Sequence, residues 1–209
     1  MRIFADADGH RSPAPDDPFL TKVKGNYLRF IKEEVRPGDL YVHLGDTWEG
    51  WEYDLGDSIA AHFDIWNDEI KHRFLEGNHE DPAIKILMAL MPGRFIRSFE
   101  AEGFLFFHGH ELDCLLDTPE ERMWAMHMSR LYRYTNFLPP ARWIKKWVDS
   151  VHRDNKPYLE EFKKRGWEKV LWGHTHKYYR EGTIGNPGNL PDSRTILVVE
   201  KGTLTEVTI

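Results

Sequence analysis

The sequence predicts an α/β fold in which strands and helices alternate in layers. Short apolar runs such as Leu40-Tyr41-Val42 and Val170-Leu171-Trp172 indicate buried strands, and segments with helical spacing lie between them. Polar stretches rich in Asp, His and Gly follow or end these runs, which places them where a buried strand meets a loop. Because open α/β sheets place their chemistry at strand ends, we expect the functional site there.

The individual elements are placed by apolar runs, capping residues and turn residues. Strands are predicted near residues 2–7, 40–44, 73–75, 168–172, 195–199 and 203–208, with two more in the segment that ends at His108. Helices are predicted near residues 19–35 and 57–67, and from Asp81-Pro82 to Pro92-Gly93. A turn is predicted at Asn186-Pro187-Gly188-Asn189.

Length and composition predict a single catalytic domain over residues 1–209. The chain has one cysteine, which excludes an intrachain disulfide framework and fits a reducing compartment. We expect a cytoplasmic location, because the sequence shows neither a leader nor an apolar run of membrane-spanning length. The net charge of −6 argues against broad nonspecific nucleic-acid binding, which depends on clustered Lys and Arg.

Five polar stretches together predict a binuclear metal site. They are Asp8-Gly9-His10, Gly45-Asp46-Thr47-Trp48-Glu49, Gly77-Asn78-His79-Glu80, His108-Gly109-His110 and Gly173-His174-Thr175-His176. Carboxylate, imidazole and amide ligands without thiolates suit catalytic ions, with manganese expected first and iron, zinc or cobalt as alternatives. Two divalent ions bring four positive charges and two carboxylates remove two, so the site favours a hydroxide and an anionic substrate such as a phosphate ester.

The spacing within two of these stretches explains how one metal cluster is reached. Asp8 and His10 are two residues apart, as are His174 and His176, so on extended backbone each pair points to the same side. Glycine beside every ligand keeps Cβ atoms away from a crowded centre and permits turns that other residues resist.

Two of the proposed ligands have a competitor in the sequence. Asp6 points the same way as Asp8 along one strand, and His110 lies two residues after His108. The spacing to His10 favours Asp8, and His108 directly follows a strand. We expect His110 to lie behind the ligands or to face the substrate.

In this order, the five stretches resemble the signature of the calcineurin-like metallophosphoesterases. The resemblance implies two sheets packed face to face as a sandwich with helices outside, and in-line attack by a hydroxide that bridges two metals. It implies one metal held by Asp8, His10 and His176, a second held by Asn78, His108 and His174, and Asp46 as the bridge between them. It also implies that His79 is the catalytic histidine and that Glu49 orients it.

Residues 112–166 are predicted to form a helical cap, inserted between two metal-ligand strands. One helix carries Trp124, Met128 and Leu131 on one side, and a second has apolar residues at helical spacing over 143–151. Two interpretations stay open: helices that pack on the domain, or a lid that receives an acyl chain or makes peripheral contact with a membrane. Exposed tryptophans would equally suit a dimer interface, so the oligomeric state is left open.

The cap and the stretch after Asp46 also resemble the UDP-diacylglucosamine pyrophosphohydrolases, which generally carry arginine where His79 stands. The stretch Gly77-Asn78-His79-Glu80 equally resembles protein phosphatases and diadenosine tetraphosphatases. The hypothesis is a two-metal hydrolase of phosphomonoesters or phosphodiesters that acts on a small nucleotide-like or lipid-linked substrate. The alternatives are a nuclease or cyclic nucleotide phosphodiesterase and, from another class, a non-catalytic metal-binding scaffold for protein partners.

Overall fold

Two mixed β-sheets face each other in the computed structural model, which describes residues 1–65, 70–80, 94–112, 123–124, 127–128 and 154–209. The strands are β1 (Arg2–Asp6), β2 (Leu40–His43), β3 (Lys71–Leu75), β4 (Phe95–Ile96), β5 (Ser98–Ala101), β6 (Phe104–Phe107), β7 (Val170–Trp172), β8 (Tyr179–Glu181), β9 (Ile184–Asn186), β10 (Thr195–Glu200) and β11 (Thr203–Thr208). The helices are α1 (Pro18–Lys22), α2 (Lys24–Glu34), α3 (Leu55–Ala61), α4 (Lys156–Arg165) and α5 (Leu190–Ser193).

Parallel strands form the centre of both sheets. Sheet one has the order β11-β10-β1-β2-β3-β4, with β1 to β4 parallel and β10 antiparallel to both of its neighbours. Sheet two has the order β5-β6-β7-β9-β8, with β6, β7 and β9 parallel and β5 and β8 antiparallel. The residues that follow β1, β2, β3, β6 and β7 therefore emerge at the carboxyl edges of the two sheets.

A buried apolar cluster joins the facing sides of the sheets. Its members include Ile3 and Leu197 from sheet one and Phe106 and Leu171 from sheet two. A second cluster covers the outer face of sheet one with α1 and α2, and a third covers the outer face of sheet two with α4. Full burial of a side chain of this size contributes about 1.5–3 kcal/mol, so the core holds the strand ends firmly. The predicted α/β sandwich flanked by helices is confirmed.

The predicted helix over residues 19–35 is wrong in one respect, because it is two helices. Asp17 caps α1 by accepting a hydrogen bond from the Leu20 N–H, and Val23, at φ −128°, separates α1 from α2. Phe19, Val23 and Tyr27 all bury their side chains in one cluster. The apolar spacing thus continues across the break, which is why the pattern did not indicate it.

The hairpin of β8 and β9 is absent from the sequence prediction. Its turn is Gly182-Thr183, with Gly182 at φ 58°, and Arg180 and Glu181 in β8 are exposed. A polar strand at the edge of a sheet lacks the apolar run by which the other strands were recognised.

Most of the predicted cap lies outside the described residues, including the helices expected around Leu131 and over 143–151, and so does the helix expected from Asp81-Pro82. Its end, α4, packs against sheet two through Tyr158 and Phe162, which contact the cluster of Phe107, Val170 and Trp172. Among the described helices, none is long and apolar enough to cross a membrane.

Candidate metal centre

All five polar stretches meet where the parallel strands end. Asp8 follows β1, Asp46 follows β2, Asn78 follows β3, His108 follows β6 and His174 follows β7. Backbone hydrogen bonds continue the pairing of β1 and β2 into the loops, from the Asp8 N–H to the Gly45 carbonyl (3.2 Å) and from the His10 N–H to the Asp46 carbonyl (2.8 Å). The sheet ladder therefore positions the loops that carry the site.

Five of the proposed ligands have left-handed backbone conformations, and for the pairs Asp8 and His10, and His174 and His176, this corrects the expectation of extended backbone. The φ angles are 51° at Asp8, 43° at His10, 48° at Asp46, 69° at His174 and 56° at His176. Such a conformation costs about 1–3 kcal/mol at a residue other than glycine and persists only where the surroundings impose it. Strained residues of this kind cluster at functional sites.

The first ligand group consists of Asp8, His10, Asp46 and His176, whose donor atoms lie within 4.8 Å of one another. The Nε2 atoms of His10 and His176 are 2.9 Å apart, and His176 Nε2 is 3.6 Å from Asp8 Oδ1. Asp8 Oδ2 is buried and has no hydrogen-bond partner among the described residues. A buried carboxylate oxygen without a donor is costly unless a cation or other ligand satisfies it.

The second ligand group consists of Asp46, His108 and His174. His108 Nε2 lies 3.4 Å from Asp46 Oδ2 and 3.1 Å from the amide oxygen of Asn78. The opposite ring nitrogen, Nδ1, lies 2.7 Å from the Leu44 carbonyl. When Nδ1–H donates to that carbonyl, Nε2 of the neutral ring keeps its lone pair for a metal.

The two groups fit a pair of divalent ions. Their donors are carboxylate and imidazole atoms, Asp46 belongs to both groups, and the Asn78 amide oxygen lies beside the second group. Two ligand atoms at right angles and each about 2.1 Å from one ion are about 3 Å apart, which matches the spacing of the His10 and His176 nitrogens. An ion at this place would also satisfy the unpartnered oxygen of Asp8.

His79 and Glu49 lie beside the ligands. Glu49 Oε1 is 2.8 Å from His79 Nδ1, and Glu49 Oε2 is 3.3 Å from His10 Nδ1. The other nitrogen of His79, Nε2, lies 3.9 Å from Asp46 Oδ2. Glu49 thus contacts both His79 and His10, which is a proposed metal ligand, with the two oxygens of one carboxylate.

The charges of these groups shift one another's pKa values. Burial lowers the pKa of His79, but Glu49 and Asp46 outweigh it and raise this pKa to about 9. Burial likewise lowers the pKa of His108, and Asp46 raises it to about 10. Burial raises the pKa of Asp8 to about 6 despite the nearby His108. Without metal, the cluster therefore holds protons on histidines at neutral pH, and metal binding would displace one from His108.

Glu80 ties two of the loops together, a role the sequence analysis did not assign. Its Oε2 accepts hydrogen bonds from the N–H groups of Asp46 and Gly77, both at 3.1 Å, and its Oε1 accepts one from the Trp48 N–H at 3.0 Å. A Cβ atom on Gly77 would lie 2.2 Å from Asp46 Oδ1, so only glycine fits there. The signal in the sequence was the acidic residue at the end of Gly77-Asn78-His79-Glu80.

Hydrogen bonds with Asn155, just before α4, and with Asn186 in β9 fix the loop between His174 and His176. The Thr175 hydroxyl donates to the Asn155 side chain at 2.5 Å, and the Asn186 amide donates to Thr175 Oγ1 at 3.0 Å. Asn155 immediately precedes α4, so the end of the predicted cap contacts the residue between two ligands.

The two competitors named above take other places. Asp6 turns to a buried network in which Oδ1 lies 2.8 Å from His43 Nδ1, while Oδ2 lies 3.4 Å from Arg11 and 3.3 Å from the Tyr41 hydroxyl. His110 is buried beside His108, with the two ring centroids 5.4 Å apart. Neither Asp6 nor His110 belongs to a ligand group in the described chain.

Comparison with known proteins gives matches among solved structures alone. No family model matches the chain, and no curated protein does. A predicted phosphoesterase from Streptococcus pneumoniae is 14% identical, with 100% of this chain and 98% of that chain covered and a TM-score of 0.41. A dimetal phosphatase from Danio rerio is 12% identical over 100% and 98% of the chains, with a TM-score of 0.48.

A third similar structure is a double mutant of Vps29 from Entamoeba histolytica. It is 11% identical, with 100% of this chain and 98% of that chain covered and a TM-score of 0.46. At these identities and TM-scores, an assignment of function has to come from the residues of the site itself.

Proposed function

We propose that this protein is a two-metal phosphoesterase of the calcineurin-like superfamily that hydrolyses phosphomonoesters or phosphodiesters. The observation that supports it most is the Asp46 carboxylate, which belongs to both ligand groups. Glu49 lies beside Nδ1 of His79, and Nε2 of His79 faces Oδ2 of this shared Asp46 carboxylate. Two ligand groups that share a carboxylate, with a protonated histidine beside them, suit the hydrolysis of an anionic ester.

The ligand residues have one task, which is to hold two ions and leave room for substrate. In this proposal Asp8, His10 and His176 hold one ion and Asn78, His108 and His174 hold the other, with Asp46 shared. When bound, the pair of ions supplies positive charge for the phosphoryl oxygens and lowers the pKa of an attacking water. Manganese is the ion we propose, and iron, zinc and cobalt suit the same donors.

His79 has the second task, which concerns a proton. In the metal-free protein burial lowers the pKa of His79, but Glu49 and Asp46 raise it to about 9, so both ring nitrogens carry a proton at neutral pH. Nδ1–H donates to Glu49, so Nε2–H remains available on the side of the ring that faces Asp46. From there it can donate to the leaving oxygen or to a phosphoryl oxygen as negative charge develops. Proton donation of this kind contributes about 10²- to 10⁴-fold to a rate.

The substrate of such an enzyme carries a phosphate ester. We propose a small phosphorylated molecule, either nucleotide-like or lipid-linked as in an acylated sugar nucleotide. We also propose a cytoplasmic location and lipid contact through residues 112–166.

The test measures hydrolysis of p-nitrophenyl phosphate and bis-p-nitrophenyl phosphate by the manganese-loaded protein. We expect metal-dependent turnover that His79→Ala and Asp46→Asn each reduce by at least about 100-fold. Asp64→Asn is the matched control, because Asp64 is exposed and pairs with Lys24 at the surface. The preferred ester distinguishes a monoesterase from a diesterase.

Turnover that survives both substitutions would overturn the proposal. Absence of turnover with these esters and with an acylated sugar nucleotide would favour the non-catalytic scaffold instead.

A further inference from the structure

Trp51 lies against the catalytic histidine of the proposed site. Its indole ring stacks on the His79 imidazole, with centroids 4.1 Å apart and an angle of 15° between the planes. The indole N–H donates to the Asn78 carbonyl at 2.6 Å. The Trp51 backbone N–H donates to Glu49 Oε1 at 2.9 Å. Trp51 therefore contacts three residues of the proposed site: Asn78, a proposed metal ligand, His79, the proposed proton donor, and Glu49, which orients His79.

The hydrogen bond from His79 to Glu49 cannot define the imidazole plane by itself. A hydrogen bond fixes the distance and direction of the N–H group, but it tolerates rotation of the ring about that direction. A flat aromatic face at stacking distance removes this freedom, because rotation would drive ring atoms into the indole. The stack and the hydrogen bond together fix where Nε2 points.

The backbone before Trp51 is shaped for this contact. A Cβ atom on Gly50 would lie 2.3 Å from the His79 carbonyl oxygen, so the segment of Glu49, Gly50 and Trp51 passes directly over His79. Trp51 is 7% exposed, which leaves its ring little room to move away from His79.

We propose that Trp51 is a positioning residue, whose indole sets the plane of His79 and ties it to the backbone of Asn78. Trp51 then fixes the position of the proton donor, His79, relative to the proposed metal ligand, Asn78. In this arrangement Nε2 of His79 lies close to the leaving oxygen of a substrate bound at the metals. The inference rests on the proposed function, and it adds a residue that none of the five polar stretches contains.

Trp48 provides a matched control on the same loop. It is also buried, but its indole ring stacks on Phe74, with centroids 5.0 Å apart, and the indole N–H has no hydrogen-bond partner in the described part of the chain. It belongs to the cluster of Leu55, Phe74 and Phe95. Replacing Trp48 therefore removes a similar volume without touching the plane of His79.

The kinetic test compares Trp51→Leu, Trp51→Phe and Trp48→Leu in the manganese-loaded protein. A misplacement of about 1 Å can cost about 10²-fold in rate, so we expect Trp51→Leu to lower kcat about 10- to 100-fold. KM should stay within about threefold, because the loss concerns the transition state. Trp51→Phe keeps a stacking face and should recover most of kcat, while Trp48→Leu should lower kcat less than Trp51→Leu does.

The leaving group sharpens this test. If Trp51 acts through the proton donor, Trp51→Leu should slow phenyl phosphate, which needs protonation, more than p-nitrophenyl phosphate, which does not. Equal loss with both esters, or a kcat of Trp51→Leu no lower than that of Trp48→Leu, would overturn the proposal. Circular dichroism and thermal unfolding identify variants that fail to fold.

A spectroscopic readout separates this inference from the proposed function. In NMR spectra of the zinc-loaded protein, the His79 ring signals are assigned as those that disappear in the His79→Ala variant. The adjacent indole shifts these signals, so we expect Trp51→Leu to move them and Trp48→Leu to leave them in place. Unmoved signals in Trp51→Leu would disprove the contact. A protein with the expected shifts but no turnover would refute the proposed function alone.

Discussion

Asp6 and Asp8 are two residues apart at the end of β1, yet they belong to two different kinds of buried site. Asp6 is satisfied by the protein itself, through His43, Arg11 and Tyr41. Asp8 Oδ1 accepts a hydrogen bond from the His174 N–H, but Asp8 Oδ2 is buried and has no hydrogen-bond partner in the described residues. The pKa values differ accordingly. Burial raises both, but His43 and Arg11 bring the pKa of Asp6 below its ordinary value, whereas that of Asp8 stays at about 6.

The difference is the one we expect between a structural carboxylate and a carboxylate that binds a ligand. A carboxylate with donors on both oxygens stabilises the fold and needs nothing further. A carboxylate with an unmet oxygen costs stability until something binds to it. On this basis, replacing Asp8 should damage function and spare the fold, and replacing Asp6 should do the reverse.

The largest expected effect is the loss of turnover in the Asp8→Asn variant. Metal-supplied charge is worth several kcal/mol, so loss of a ligand should lower turnover about 100- to 1,000-fold. The metal-free protein should not lose stability at pH 7. A carboxyl group whose folded pKa is raised, here to about 6, loses stabilisation as the pH rises through that value, and neutral Asn avoids this loss. Urea unfolding with a chelator measures the second effect. Unchanged turnover together with a destabilised metal-free protein would reverse the comparison.

The next largest expected effect is a loss of folding stability in the Asp6→Asn variant. The substitution leaves the buried Arg11 guanidinium without its counter-charge, which costs about 3–5 kcal/mol. Urea unfolding should show this loss, while turnover per folded molecule stays at the wild-type level. Asp192→Asn is the control, because the exposed pair of Asp192 with Lys22 contributes about 1 kcal/mol or less. A loss no larger than that of the control would contradict the structural role of Asp6.

A smaller effect is expected for Glu49→Asp. The shorter side chain cannot reach both His10 and His79, which the Glu49 oxygens contact at 3.3 Å and 2.8 Å. A carboxylate behind a ligating histidine is worth about 10- to 100-fold in metal affinity or activity, so we expect manganese affinity or turnover to fall by that amount. Calorimetric titration and steady-state kinetics measure the two losses. Wild-type values for both would show that the length of Glu49 has no role.

The smallest expected effect is a pH dependence of metal binding. Burial lowers the pKa of His108 but Asp46 raises it to about 10, so a metal must displace a proton from it at neutral pH. Release of one proton makes manganese affinity rise about tenfold per pH unit. Calorimetry in two buffers with different ionisation enthalpies measures the proton released. Affinity that stays constant with pH would mean that His108 is not a ligand.

Much of the fold and the site could be predicted from local sequence. The apolar runs before Asp46, His108 and His174 indicated both the strands and the loops that follow them. The partners of Asp6 could not be predicted, because His43 and Arg11 meet it only after the chain has folded. The contact of Trp51 with His79 joins two loops in the same way. The strand Tyr179–Glu181 was missed because its residues are largely polar, and edge strands need no apolar run.

The left-handed conformation of five proposed ligands restricts which residues those positions can accept. Outside glycine, that region is visited mainly by Asn, Asp and His. Aspartate and histidine are also residues that bind divalent metals. Conformation and coordination therefore favour an overlapping small set of amino acids at these positions. A library randomised at Asp8 and His176 and selected for folding alone, with metal withheld, should already be enriched in Asp, Asn, His and Gly.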